Sequence, residues 1–256
     1  MRTDVVLSTP VTVPVALLAW VVADANLGEL HKTVAPAARW LPPDGHDDQR
    51  RRGRELLTEL GWCDRHGRLD REVAGSLAVL CRPEVEYYGW IAHGGRTVGV
   101  VAARTGKEAV LAVEQGDGVV RLSSVGSGRL AERLVAQAPD IPAGRGRSFT
   151  VSAAEVRATR RDGRQRTASG VGLRPAGPDV RDAKRLATLP STGHGELTVA
   201  KRDGAGRRRA PRPLRYTDTT EGRFSLTQLD DDQVRVAPAA RDDLVHQLVR
   251  MDQALP

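Results

Sequence analysis

The sequence has few aromatic residues, few cysteines and no long uninterrupted apolar segment. Aromatic side chains make up 4% of its 256 residues, and its only phenylalanines are Phe149 and Phe224, so a core must consist mainly of Val, Leu and Ala. Cys63 and Cys81 are too few for a disulfide framework, and no Cys/His cluster has zinc-site spacing. These absences exclude a disulfide-stapled secreted domain, and we expect a cytoplasmic protein with no metal and no other cofactor.

The apolar N-terminal segment has two interpretations. We predict a strand over 4–9 and a helix over 13–26, with Thr12 as N-cap and Pro14 in the first turn, where a missing N–H costs nothing. The alternative is a signal peptide, but Asp4 and several Ser, Thr and Pro residues interrupt its positive start and its apolar run. No other segment is apolar over a membrane-crossing length, so we expect no membrane insertion.

Catalytic motifs are also missing. The sequence contains no nucleophile elbow, no Walker lysine loop, no dinucleotide-binding glycine motif and no zinc-protease motif. The six histidines are far apart in the sequence, and the acidic run 230–232 joins two predicted strands. The stretch "DTTEG" (218–222) leads into a strand rather than a helix, so we interpret it as a hairpin turn and not as a phosphate loop. We therefore expect no enzyme and no catalytic residues.

The excess of positive charge leaves a second function open. The formal net charge is +7, and arginine is densest at 50–54 and 207–212. Clustered arginines attract polyanions, so an alternative function is that of a nucleic-acid-associated protein. Because arginine is spread through nearly every segment and balanced by 32 acidic residues, we favour solvated faces and loops, and no nucleic-acid partner.

Hydrophobic periodicity predicts alternating helices and strands. A four-stranded antiparallel meander is predicted over 84–125, because four apolar alternating runs are separated by short glycine turns. Further strands are predicted at 148–152, 195–202, 213–218, 223–229 and 233–237, and helices at 48–61, 69–81, 127–138, 153–161, 178–188 and 239–253.

An internal repeat relates the two halves of the sequence. Residues 104–135 align with 218–249 at an offset of 114 without gaps, and the turn, the strand alternation and the helix stripe stay in register. The repeat predicts an α+β fold with quasi-twofold symmetry, in which helices pack on a central antiparallel sheet. We expect an N-terminal half (1–138) and a C-terminal half (139–256) that together form one compact domain.

Two stretches resemble a known protein family. They are "RPEVEYYGWIA" with the strands that follow it, and "TDTTEGRFSL" with the later "VRVAPAARDDLVHQL". Both resemble the EspG family of proteins associated with ESX (type VII) secretion. The resemblance implies a cytosolic, non-enzymatic actinobacterial chaperone that binds the helical tip of the PPE subunit in a PE–PPE heterodimer and keeps it soluble for export. The arginine-rich segments differ from the family and leave open a PE–PPE pair or a related helical secretion substrate.

The polar faces of the second-half strands are the predicted contact surface for such a partner. The candidate contact residues are Thr198, Lys201, Arg215, Thr217 and Arg223, together with Arg96, Arg104 and Lys107 in the early turns. Tyr88 and Trp90 are predicted to pack in the core or between the halves. Exposed strands could also pair two copies, which leaves the oligomeric state open.

Overall fold

The structure is a computed structural model that describes residues 7, 9–36, 43–64, 66–152, 154, 177–229 and 232–256. The strand predicted at 4–9 and the helix predicted at 153–161 lie for the most part outside the described residues.

The first elements differ in detail from the sequence prediction. Strand β1 spans Val11–Pro14 and helix α1 spans Val15–Asp24. The prediction of Thr12 as the N-cap is wrong, because Thr12 pairs with Arg121 inside the sheet and is held in an extended conformation. Pro14 occupies the N-cap position instead, with φ −60° and ψ 130°.

Two helices and the predicted meander follow. Helix α2 spans Pro43–Glu59, and helix α3 spans Arg71–Cys81, where the Asp70 carboxylate accepts hydrogen bonds from the backbone N–H groups of residues 72 and 73. The meander consists of β2 (Val85–His93), β3 (Arg96–Thr105), β4 (Glu108–Glu114) and β5 (Val119–Ser124), as predicted.

The second half repeats this pattern with a different set of helices. Helix α4 (Leu130–Val135) is shorter than predicted, and strand β6 (Phe149–Ser152) and helix α5 (Pro178–Thr188) follow it. The remaining elements are β7 (Ser191–Asp203), β8 (Gly206–Arg209), β9 (Leu214–Thr219), β10 (Gly222–Gln228), β11 (Gln233–Pro238) and α6 (Arg241–Gln253). Strand β8 was not predicted, because its residues belong to an arginine cluster that we interpreted as a loop.

All strands that the structure describes join one antiparallel sheet in the order β1-β5-β4-β3-β2-β7-β9-β10-β11-β6, with β8 paired to β7. From the central β2–β7 pair outwards, the second half repeats the order of the first. The registers follow the 114-residue offset as well, since Arg104 pairs with Ala109 and Asp218 pairs with Arg223. The predicted α+β fold with a central antiparallel sheet is confirmed. The division into halves at 138 stays a prediction, because the sheet continues across β2 and β7.

Helices cover both faces of the sheet but divide them differently. On the first face, α1 and α3 bury the apolar side chains of β1–β5 around Tyr88, Val101 and Leu122. At the other end of the same face, α5 packs on Phe149, Phe224 and Val236. On the second face, α4 and α6 pack together over the centre of the sheet. This arrangement leaves the middle of the first face as the place to look for a binding site.

Candidate partner-binding surface

An exposed strip crosses β2, β7 and β9 on the first face, between the helices of the first half and helix α5. In the ladders Trp90 lies opposite Glu196, Glu196 opposite Arg215, and His194 opposite Thr217. Side chains of directly opposite residues point to the same face of an antiparallel sheet. These five residues are called the exposed strip below.

The exposed strip combines one aromatic side chain with an ion pair. Trp90 is 38% exposed, which is unusual for a large apolar side chain in a central strand. The Arg215 Nε donates a hydrogen bond of 2.8 Å to Glu196 Oε2, and both side chains are about half exposed. The Lys32 ammonium lies 5.3 Å from the centre of the Trp90 ring, within cation–π distance. Tryptophan and arginine are both enriched at the centres of protein interfaces, and here Glu196 separates Trp90 from Arg215.

Thr198 lies on the same face, opposite the buried Tyr88. Its side chain is 7% exposed, and its hydroxyl oxygen is buried without a hydrogen-bond partner among the described residues. Three of the predicted contact residues, Thr198, Arg215 and Thr217, therefore share one face of adjacent strands. Thr198 is almost covered, so Arg215 and Thr217 offer more contact area to a partner.

Lys201 points to the opposite, second face of the sheet. Its ammonium group donates a 3.0 Å hydrogen bond to the Leu255 carbonyl and lies 3.5 Å from Asp252 Oδ1. Because these contacts tie the C-terminal helix to strand β7, the structure favours an anchoring role for Lys201 over the predicted contact role.

Arg223 is a clear correction to the predicted contact surface, because its side chain is fully buried. Its Nε and Nη2 donate to the two Asp218 carboxylate oxygens at 2.6 and 3.0 Å, and Nη2 also donates to the Pro139 carbonyl at 3.0 Å. The guanidinium lies 4.6 Å from the centre of the Tyr216 ring. Burial raises the pKa of the Tyr216 hydroxyl. Arg223 holds strands β9 and β10 together instead of meeting a partner.

The predicted contact residues of the early turns lie away from the exposed strip and from one another. Arg96, next to the β2–β3 turn, donates to the Gln115 carbonyl at 2.9 Å. Lys107 is exposed in the β3–β4 turn, at the other end of strand β3. Arg104 is half-buried and lines a cleft on the second face together with Tyr87. None of the three belongs to the surface around Trp90.

The exposure of Trp90 differs from the sequence prediction, which placed this side chain in the core or between the halves. Tyr88 is buried as predicted, but Trp90, two residues further along the same face, is not. The alternation of strand β2 shows that both residues share a face, yet it does not show where the covering helices end. No local sequence signal marks that boundary.

The turn between β9 and β10 is a hairpin, as predicted. The Thr219 hydroxyl donates to the Gly222 carbonyl at 2.9 Å and accepts from the Glu221 N–H at 3.1 Å. Gly222 has φ +109°, a conformation that favours glycine. In the part of the chain that the structure describes, no cluster of three His, Cys, Asp or Glu side chains could hold a metal ion. No described helix is long and apolar enough to span a membrane.

The fold and the exposed strip define an α+β protein with an open sheet face, an arrangement suited to recognising another protein. The chain belongs to the EspG family, whose model matches residues 14–250. Its fold is that of the Mycobacterium tuberculosis type VII secretion system chaperone EspG5, solved in complex with a PE25–PPE41 dimer. The two share 17% sequence identity and a TM-score of 0.70 over 97% of each chain. No curated protein matches the sequence.

Proposed function

We propose that this protein is a chaperone of a type VII secretion system that binds a helical secretion substrate, a PE–PPE heterodimer or a related pair. The observation that carries the proposal is the combined match of family and fold over nearly the whole chain. The shared fold belongs to a protein that was solved with such a dimer bound. We further propose that it acts in the cytoplasm and that its role is recognition rather than catalysis.

The exposed strip is the proposed docking surface. A helical hairpin with apolar residues at its tip aggregates unless another surface covers them. Trp90 offers the apolar contact, and the Glu196–Arg215 pair at its side can fix the orientation of the docked helices. Thr217 and His194 supply polar contacts at the rim. Thr198 is almost fully buried beside them and contributes little contact area.

Co-expression with the PE–PPE pair encoded nearest to this protein tests the proposal. We expect a soluble 1:1:1 complex in size-exclusion chromatography with light scattering. Trp90→Ala should weaken it by about 30-fold or more, as expected for a central interface tryptophan. Arg215→Glu should weaken it as well. The matched control is Arg235→Glu, the same charge change at an exposed position of β11. Equal losses in both arginine variants would contradict a docking role for the strip.

The nucleic-acid alternative is less well supported by the arrangement of the arginines. Arg51 pairs with Asp48, Arg207 with Glu86 and Arg208 with Asp203. Arginines that are neutralised by nearby carboxylates contribute less to the attraction of phosphate. A steep fall of nucleic-acid affinity with salt, in the absence of any complex with PE–PPE pairs, would reverse this preference.

A further inference from the structure

A basic cleft opens beside the exposed strip. It encloses about 390 Å³ between the end of α3, the segment that follows α1, and strands β2, β7 and β8. The side chains that matter for its chemistry are Lys32, Glu86, Tyr88, Arg202, Arg207 and Arg209. Trp90, the next residue of β2 on the same face, belongs to the exposed strip.

The inner wall of the basic cleft holds a buried ion pair. Glu86 is 3% exposed, and Arg207 Nε donates a 2.5 Å hydrogen bond to its carboxylate. Burial raises the pKa of Glu86, an effect that the Arg207 hydrogen bond opposes. His31 Nε2 lies 3.7 Å from the same carboxylate, but burial lowers the pKa of His31 to about 4, so the imidazole is neutral at pH 7. Arg207 is the cation in direct contact with the carboxylate, and Arg202 and Lys32 act on it from further away.

The residues that line the cleft carry an excess of positive charge. Among the described residues, neither Arg202 nor Arg209 forms a direct side-chain ion pair, and Lys32 lies over the rings of Tyr88 and Trp90. Arg202 and Lys32 also attract the Glu86 carboxylate from a greater distance, which acts to lower its pKa. Glu29 is the only further carboxylate among the lining residues, so four cations face two carboxylates. In a partly enclosed cleft such an excess attracts anions more strongly than it does on an open surface.

A buried hydroxyl group adds a directional element. Tyr88 is 1% exposed, and its hydroxyl oxygen has no well-aligned hydrogen-bond partner among the described residues, although the Arg207 guanidinium lies close enough to interact with it. Because a guanidinium can only donate, the hydroxyl hydrogen has no acceptor there. Buried polar atoms are nearly always hydrogen-bonded in native proteins. The hydroxyl can therefore donate to a group that enters the cleft.

We propose that the basic cleft binds an oxyanion, which Arg202, Arg209 and Lys32 attract and to which Tyr88 donates a hydrogen bond. Two sources fit this chemistry: a carboxylate side chain of the docked protein, or a phosphate group free in solution. The first source rests on the proposed function, because Lys32 spans the rings of Tyr88 in the cleft and Trp90 in the strip. The second does not depend on it.

Thermal unfolding in inorganic phosphate, compared with chloride at the same ionic strength, tests the site itself. For a Kd on the order of 1 mM, 20 mM phosphate should raise the Tm of the full chain by about 4–7 °C. The double variant Arg202→Gln, Arg209→Gln should lose this shift. Arg208→Gln should keep it, because Arg208 lies on the same hairpin but pairs with Asp203 and does not line the cleft.

Affinity for the PE–PPE pair then separates the two sources. If the double variant also binds the pair about 10-fold more weakly than Arg208→Gln does, the oxyanion belongs to the docked protein. Unchanged affinity assigns the site to a free phosphate group. If the wild-type protein forms no complex with the PE–PPE pair, the proposed function is contradicted. The phosphate-induced Tm shift would still support the oxyanion site. No phosphate-specific shift in the wild type, or the same shift in the double variant, overturns the oxyanion site.

Discussion

Removing one partner of the buried Asp218–Arg223 ion pair should strongly destabilise the second half of the sheet. Both side chains are almost inaccessible to water, at 1% and 0% exposure, and they form two hydrogen bonds. Replacing one partner leaves the other charge buried without compensation, which costs about 3–5 kcal/mol in proteins. We therefore expect Arg223→Met to lower the free energy of unfolding by that amount.

The exposed Glu196–Arg215 pair provides a matched control on the neighbouring strands. Its Nε–Oε2 distance of 2.8 Å is similar, but both side chains are about half exposed. Exposed pairs contribute about 0–1 kcal/mol, because water screens the charges in both states. Arg215→Met should therefore leave the unfolding free energy nearly unchanged.

Urea unfolding followed by circular dichroism measures both effects. In thermal unfolding, the same loss of about 3–5 kcal/mol would lower the Tm of a chain of this size by roughly 6–20 °C. The double variant Arg223→Met, Asp218→Leu should recover part of the loss, because it removes the uncompensated carboxylate. If Arg223→Met costs as little as Arg215→Met, the argument from burial is refuted.

Three further outcomes follow from the structure. Gly99→Ala should destabilise by about 1–3 kcal/mol in urea unfolding, because its Cβ would lie 1.8 Å from the Thr33 carbonyl oxygen, whereas Gly75→Ala in the open part of α3 should not. The free energy of unfolding of the wild type should fall by up to about 3 kcal/mol from pH 6.5 to 4. Burial lowers the pKa of His31 in the folded state to about 4, so over most of this range only the unfolded state binds a proton at His31. The fall should be smaller in His31→Gln. Trp90→Ala should weaken the cargo complex yet change Tm by less than about 4 °C, since its side chain is 38% exposed.

The strands and their pairing were largely predictable from the sequence. Glycine turns and period-two alternation placed β2 to β5 within a few residues of their observed bounds, because these signals are local. The 114-residue offset also anticipated the registers, since Asp218 and Arg223 pair as Arg104 and Ala109 do. Repeated sequence predicts repeated pairing whenever the two copies fold alike.

The candidate surface was predicted only in part, because exposure depends on which helices cover which strands. Alternation correctly placed Arg215 and Thr217 on one face, but it could not show that Trp90 remains uncovered. It could not show either that Arg223 turns into the interior, where the Asp218 carboxylate balances its charge. Both properties arise from tertiary packing between distant segments.

Photo-crosslinking shows whether a secretion substrate docks on the exposed strip. A photoreactive side chain at His194 in the strip is compared with the same side chain at Arg235 on the second face, each with the PE–PPE pair present. We expect a crosslink to the PPE subunit from position 194 and none from position 235. A complex that forms normally but crosslinks only from position 235 would contradict docking on the exposed strip.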